Sequence, residues 1–208
     1  MKKRMIITIG RQYGSGGREI GKRLAESLGI GYYDKELLAV AAKESGFSKE
    51  LFEKADERAS SGLPYAFSMG FSYLGGMTPY HDVLSNEGLF KIQSDAIRKL
   101  AARESCVMIG RCADYVLRED PACLSIFIHN TDENRIRRIM ERRKVSADEA
   151  KELMRKIDKT RASYYDYYSN KSWGRASSYN LSIDVSVLGV EETVGFLKIF
   201  IHKKFDKA

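Results

Sequence analysis

Residues 5–28 read "MIITIGRQYGSGGREIGKRLAESL", and this stretch decides the fold class of the chain. It opens with a nearly continuous apolar and β-branched run, which is typical of a strand buried on both faces. It closes with apolar residues at helical spacing, followed by Gly29 as a natural helix end. The stretch therefore predicts a strand, a glycine-rich loop and a helix whose N-terminus faces the loop.

The loop between this strand and helix is suited to an anion. Glycines let backbone amides turn inward without obstruction by side chains, and the following helix adds its positive N-terminal end. The residues best placed for this are Gly14, Ser15, Gly16 and Gly17. The usual phosphate loop, G-x-x-x-x-G-K-[ST], has a lysine that is absent here. A tight turn without a ligand is the alternative, but the position after the first strand favours phosphate binding.

The rest of the chain alternates between strand-like and helix-like segments. Further strands are predicted at "IGYYD" (30–34), "CVMIGR" (106–111), "ACLSIFIHNT" (122–131) and "YNLSIDV" (179–185). Helices are predicted at 35–45, 86–104, 114–120, 132–144, 147–168 and 189–205. This alternation predicts an α/β sandwich with a parallel sheet, in which ligands bind at the carboxyl ends of the strands. Two such ends are marked by Asp34 and by Gly110 with Arg111.

The composition of the chain limits its class. Its 208 residues are 43% hydrophobic and 30% charged, which fits one globular domain over residues 1–208. No apolar run is long enough to span a bilayer, and three cysteines without metal-type spacing fit a reducing compartment. We therefore expect a cytoplasmic protein without a membrane partner. The net charge of +7 suits phosphate-bearing ligands, with nucleic acid as the weaker option.

Several arginines are candidates for phosphate contacts. Arg135 and Arg138 share one face of a predicted helix, and Asp158 and Arg161 lie one turn apart on the next helix. These two helices are either a solvated charged pair or a mobile lid that closes over phosphates. Arg111 follows a hydrophobic strand, where its guanidinium can face a cleft or form a structural salt bridge.

Two segments have a mixed composition. Residues 58–82 combine Gly, Ser, Pro and aromatics without periodicity, which indicates an insert rather than core. Residues 164–174, "YYDYYSNKSWG", place aromatic side chains near a lysine. These aromatics can pack a helix end or stack on a base.

In their order along the chain, these motifs resemble the cytidylate kinase-like branch of the P-loop nucleoside monophosphate kinases. The resemblance is carried by "ITIGRQYGSGGREIGKRLAESLGIGYYDKELL", "IGRCADYVL", "FIHNTDENRIRRIMERR" and "KIDKTRASYYDYY". It covers nearly the whole chain except residues 58–82. It implies a three-layer P-loop kinase-like sandwich with a helical lid at 132–168 and an acceptor-side insert at 58–82.

The resemblance also implies a reaction and roles for residues. Such a kinase moves the γ-phosphoryl group of ATP to a nucleoside monophosphate, with Mg²⁺ bridging the phosphates. The loop at residues 14–18 would hold the donor phosphates, and Arg135 and Arg138 would be lid arginines near the donor. The acceptor side would be formed by Asp34, Arg111, Asp158 and Arg161.

The chain departs from the family pattern mainly at the loop. In an ungapped alignment, Gly17 falls on the loop lysine, Arg18 and Glu19 fall on the small or hydroxyl residues after it, and Arg11 replaces the first glycine. Arg18 could supply the missing charge, and Ser15 and Glu19 are the candidate Mg²⁺ contacts. The alternatives are a P-loop module that binds a phosphorylated ligand without transfer, and a kinase of a non-nucleotide acceptor. The oligomeric state stays open.

Overall fold

The computed structural model describes residues 4–34 and 86–206. The strands in these ranges are β1 (Ile6–Arg11), β2 (Gly31–Tyr33), β3 (Cys106–Ile109), β4 (Cys123–His129) and β5 (Leu181–Asp184). The α-helices are α1 (Gly17–Leu28), α2 (Asn86–Arg103), α3 (Ala113–Val116), α4 (Asp132–Arg143), α5 (Ala147–Ser169) and α6 (Val185–Asp206). A 3₁₀ turn spans Ala176–Ser178. The predicted helix at 35–45 and the predicted insert at 58–82 lie outside the described residues.

The strands form one parallel sheet in the order β2-β3-β1-β4-β5, which confirms the predicted α/β architecture. β1 is the central strand, with β3 and β4 as its two neighbours. Its first four residues, Ile6 to Ile9, are buried, as the continuous apolar run predicts. Because all the strands are parallel, their carboxyl ends meet at one edge of the sheet.

Helices cover both faces of the sheet. On one face, α1 and α6 pack their apolar sides against the sheet around Ile20, Leu24 and Leu197, all fully buried. On the other face, α2 and α3 pack against the sheet around Ile97 and Ala113. The molecule therefore has the three layers that the sequence predicts.

Helices α4 and α5 lie at the carboxyl edge of the sheet and pack on each other around Ile139, Ala150 and Met154. A capping box starts α5 at the predicted residue, because Ser146 and Glu149 each bond the other's backbone amide. Tyr13 of the glycine loop packs against the same apolar cluster. The helix pair is therefore in contact with the loop.

The last helix differs from its prediction at the N-terminus. The sequence predicts a helix from residue 189, whereas α6 begins at Val185 and contains Gly189 with φ 72° and ψ 179°. This conformation is open to glycine, so a short helical turn precedes a break and the long helix follows it. No helix among the described residues has the length and apolar character needed to cross a membrane.

Candidate active site

The glycine loop is shaped by two residues in the left-handed region. Gly14 has φ 80° and Gly16 has φ 92°, and Gly16 caps α1 without help from a side chain. A Cβ atom on Gly14 would lie 2.8 Å from the carbonyl oxygen of Arg135, so the loop runs directly against α4. The N-terminal amides of α1 therefore face the bend that these glycines make, where an anion can be bound.

The hydroxyl of Ser15 serves the loop itself. Ser15 is fully buried, and its Oγ donates to the Gln12 carbonyl at 2.9 Å and accepts from the Gly17 amide at 3.3 Å. These bonds fix the turn between β1 and α1. A role of Ser15 as a metal ligand would require this hydroxyl to exchange partners.

The backbone of Tyr13 is held on both sides by residues of α4 and α5. The Tyr13 amide donates to Asp158 Oδ1 at 2.7 Å, and Arg135 Nε donates to the Tyr13 carbonyl at 2.9 Å. Arg135 and Asp158 also form an ion pair with each other, and only 4% of the Arg135 side chain is exposed. We call these three residues the Tyr13 clamp. It joins the glycine loop to α4 and α5, the two helices that the sequence interprets either as a solvated charged pair or as a lid.

Arg138 lies over the other side of the loop. Its Nη2 donates to Glu19 at 2.7 Å, and a Cβ atom on Gly16 would lie 3.6 Å from its guanidinium carbon. Glu19 also accepts from Arg23 at 2.8 Å. Burial alone would raise the pKa of Glu19, but the hydrogen bonds and charges of Arg138 and Arg23 lower it below its ordinary value. The Glu19 carboxylate is therefore ion-paired with two arginines.

A cavity of about 410 Å³ opens beside the loop, at the carboxyl ends of β1, β2 and β3. Three arginines line it: Arg11 from the end of β1, Arg111 from the turn after β3, and Arg161 from α5. Its volume is in the range of small-molecule sites, and its position is where parallel sheets bind ligands. The cavity is therefore a candidate site for an anionic ligand.

The three arginines are brought together although each carries a positive charge. Arg161 donates to the backbone carbonyl of Arg11 at 3.0 Å. Burial lowers the pKa of Arg111 and of Arg161 below their ordinary values. Burial, followed by the nearby charge of Arg161, lowers the pKa of Arg11 to about 9. All three guanidiniums remain charged at neutral pH, so the cavity favours an anion electrostatically.

Arg18 and Asp34 form an ion pair with each other. Asp34 is 8% exposed and lines the cavity, whereas 49% of the Arg18 side chain is exposed. The structure thus places Arg18 next to the residue predicted for the acceptor side. Its predicted role as the charge on the donor phosphates stays a prediction.

An aromatic wall completes the cavity. It includes Tyr164, Tyr165, Trp173 and Tyr179, three of which belong to the segment "YYDYYSNKSWG". The Tyr165 hydroxyl donates to Asp114 at 2.7 Å. The Tyr179 hydroxyl is buried and makes no hydrogen bond of normal geometry with the described residues. The wall offers ring faces and one hydroxyl to a ligand.

The described residues of the loop fit an anion better than a protein-built metal site. The left-handed glycines precede the start of α1, and Arg138 lies next to Gly16. For a metal ion, Ser15 is engaged within the loop and Glu19 is paired with two arginines. Within residues 4–34 and 86–206, no cluster of three or more His, Cys, Asp or Glu is arranged to hold a metal.

Sequence reasoning gave Arg11 no role. The available signal is a repeated tripeptide: Ile-Gly-Arg occurs at residues 9–11 and again at 109–111. The two copies end neighbouring parallel strands, with Ile9 paired to Ile109 in register. Arginines that follow matched strand ends reach the same edge of the sheet.

Comparisons with known proteins identify a matching family and a relative that aligns over nearly the whole chain. The model of the cytidylate kinase-like family matches residues 6–187 of the chain. The cytidylate kinase of Methanopyrus kandleri is 26% identical over 213 residues, an alignment that covers 98% of this chain and 96% of that protein.

Two solved structures resemble this one over nearly the whole chain. An uncharacterized protein from Eubacterium ventriosum matches with a TM-score of 0.70 and 30% identity, covering 95% of this chain and 98% of that one. Shikimate kinase from Bacteroides thetaiotaomicron matches with a TM-score of 0.55 and 14% identity, with coverage of 95% and 98%. The second likeness concerns the fold alone.

Proposed function

Because the chain belongs to the cytidylate kinase-like family, we propose that it is a phosphotransferase that moves the γ-phosphoryl group of ATP to a nucleoside monophosphate such as CMP. The observation that carries this proposal is the cavity beside the glycine loop, on which Arg11, Arg111 and Arg161 converge. A kinase of this kind must bind two anionic groups next to each other and neutralise their charge.

The donor would lie along the glycine loop. Backbone amides near Gly14 and Gly16 and the start of α1 would bind its phosphates, and Arg138 would face them from α4. Bound Mg²⁺ would supply positive charge that offsets the charge developing on the donor phosphates during transfer. Ser15 and Glu19 are proposed only as contacts of that ion, through water or after exchange of their present partners.

The acceptor would occupy the cavity. Arg111 and Arg161 would bind its phosphoryl group, and the aromatic wall would contact its ring. Asp34 at the end of β2 and Asp158 in the Tyr13 clamp would act on the same side, Asp158 by holding the loop in place. ATP as the donor and three cysteines without a disulfide suit the cytoplasm.

A coupled ADP-release assay tests the proposal. The protein is incubated with ATP and Mg²⁺ and with CMP, dCMP, UMP, AMP or GMP in turn. We expect turnover with at least one monophosphate, and the preferred one identifies the acceptor. Arg111→Ala should lower kcat/KM for that acceptor by roughly 10- to 100-fold, the usual effect of losing a charged hydrogen bond. Absence of turnover with every monophosphate would refute the proposal.

The control for this assay is Arg155→Ala. Arg155 is an exposed arginine on α5, the same helix that carries Arg161, and it does not line the cavity. We expect its kinetics to match those of the unaltered protein. Equal losses in the two variants would indicate a general effect of positive charge rather than a role for Arg111.

A second candidate function is binding without transfer. It is favoured by Gly17, which leaves the loop without its usual lysine. In that case, a nucleotide or another phosphorylated ligand would form a tight complex, and no ADP would be released above the rate without acceptor. Equilibrium binding measured beside the assay separates this function from phosphoryl transfer.

A further inference from the structure

Arg11 and Arg111 are set side by side by the register of the sheet. Ile9 pairs with Ile109, and the Gly110 amide donates to the Ile9 carbonyl at 3.0 Å. Each of the two strands then continues with glycine and arginine. Both arginines line the cavity, although only Arg111 stands at a position for which a role is expected.

Two glycines leave the space that the Arg11 side chain fills. A Cβ atom on Gly17 would lie 2.7 Å from the Cβ atom of Arg11, and a Cβ atom on Gly110 would overlap its Nη1. Gly17 is the residue aligned with the usual loop lysine, and its φ is not in the left-handed region. Space for Arg11, rather than backbone conformation, therefore explains why this position is a glycine.

Positive charges outnumber negative charges among the described residues of the cavity. Among the described residues that line it, four side chains are cationic and two are acidic: Arg11, Arg111, Lys156, Arg161, Asp34 and Asp114. Asp34 is shared with Arg18, and burial raises the pKa of Asp114. A phosphate monoester with two negative charges would match the excess among these described residues, and Arg11 packs against Gly17 beside the loop.

We propose that Arg11 is a binding residue for the phosphoryl group of the acceptor. Its guanidinium contacts this group from the end of β1, next to Arg111. It also places a positive charge between acceptor and donor in a chain that lacks the usual loop lysine. The identity of the acceptor rests on the proposed function; the role of Arg11 as a phosphate contact does not.

Equilibrium binding without ATP tests this role. Trp173 is the only tryptophan of the chain and lines the cavity, so its fluorescence reports on ligand binding. CMP, cytidine and inorganic phosphate are titrated separately into the unaltered protein, Arg11→Gln and Arg11→Lys. We expect Arg11→Gln to weaken CMP binding by roughly 10- to 100-fold and to leave the binding of cytidine unchanged.

Arg11→Lys and a surface variant serve as controls for this result. Arg11→Lys keeps the charge and the aliphatic stem beside Gly17, so it preserves folding where Arg11→Gln fails. It should weaken CMP binding by roughly 10-fold, since a lysine cannot make the paired contact. Arg155→Gln is the matched surface control and should bind CMP like the unaltered protein. A filter assay with ATP should give equal affinities for all four proteins.

The outcomes separate this proposal from the proposed function. If the unaltered protein transfers no phosphoryl group but Arg11→Gln loses CMP or phosphate affinity, Arg11 keeps its role and the kinase function is wrong. If transfer occurs and Arg11→Gln binds CMP as tightly as Arg155→Gln, the role of Arg11 is overturned. The role of Arg11 is also overturned if Arg11→Gln loses affinity for ATP and not for CMP. It is overturned as well if the unaltered protein binds neither CMP nor phosphate.

Discussion

At Gly17, the sequence alignment and the packing lead to different expectations. The alignment identifies this residue as the place to install the missing loop lysine. The packing places the Cβ of Arg11 2.7 Å from the point where any side chain on residue 17 would begin. A contact this short cannot be accommodated unless the backbone or Arg11 moves.

Gly17→Lys should therefore destabilise the protein rather than create an active loop. We expect a loss of about 1–3 kcal/mol in the free energy of unfolding, measured with urea, because the site is overpacked. In the double variant Arg11→Gly with Gly17→Lys, the combined loss should be smaller than the sum of the two single losses, since the obstructing Cβ atom is gone. Additive losses in the double variant would show that the two positions do not compete for space.

The positions of the arginines could be predicted from the sequence, but their partners could not. Strand ends and helical spacing placed Arg111 and Arg161 at the carboxyl edge of the sheet, where both line the cavity. Arg18 sits at the helix start beside the loop, yet its side chain reaches Asp34. A long side chain can reach in several directions from one backbone position, so its partner depends on packing that a sequence pattern does not specify.

At the scale of secondary-structure elements, the Tyr13 clamp connects the glycine loop to the helices α4 and α5. Arg135 and Asp158 are both largely buried, with 4% and 15% of their side chains exposed. Both bond the backbone of the loop as well as each other. The sequence leaves two interpretations of these helices open, a solvated charged pair or a mobile lid near the phosphates. In the structure, α5 is tied to the loop.

Removal of one member of this clamp should be costly. Asp158→Ala leaves the buried Arg135 with only Asp132 as an acidic partner among the described residues, and we expect a loss of about 3 kcal/mol in unfolding free energy. Urea unfolding followed by circular dichroism measures it. Glu152→Ala, which removes an exposed acid from the same helix, should change stability by less than about 0.5 kcal/mol. Similar values for the two variants would contradict the clamp.

The secondary-structure elements themselves were largely predictable. Continuous apolar runs predict the buried strands, and the helix predicted from residue 147 is α5, which starts there. The long part of α6 follows Gly189, as predicted, whereas the short turn at residues 185–188 before this glycine was not predicted. A glycine in the left-handed region interrupts this helix without ending it, and such a break has no periodic signal.

At the scale of the whole molecule, two of the three cysteines, Cys106 and Cys112, are buried, and Cys123 is partly buried. Burial raises the pKa of Cys106 to about 12 and that of Cys123 to about 11, and it also raises the pKa of Cys112. None of the three takes part in a disulfide. Their thiols therefore remain protonated at pH 8, and thiolate is the reactive form.

We expect labelling of these thiols with a chromogenic disulfide at pH 8 to report on global unfolding. In native buffer the reaction should be at least about 100-fold slower than in concentrated urea, because the native thiolate fraction is small and access is blocked. Replacement of Cys123, the least buried of the three, by Ser should leave the slow phase of the other two unchanged. Fast labelling of two or more thiols in native buffer would contradict a single cooperative core.

The central position of β1 also has a consequence for how the protein is made. Ile6 pairs with Cys106 and with Cys123, residues that the ribosome adds 100 and 117 positions later. At about 5–20 residues per second, the first strand waits for roughly 5–20 seconds before either neighbour is synthesised. During that interval its apolar residues have no sheet to join, so the nascent chain depends on its surroundings to keep that strand from aggregating until translation reaches β3.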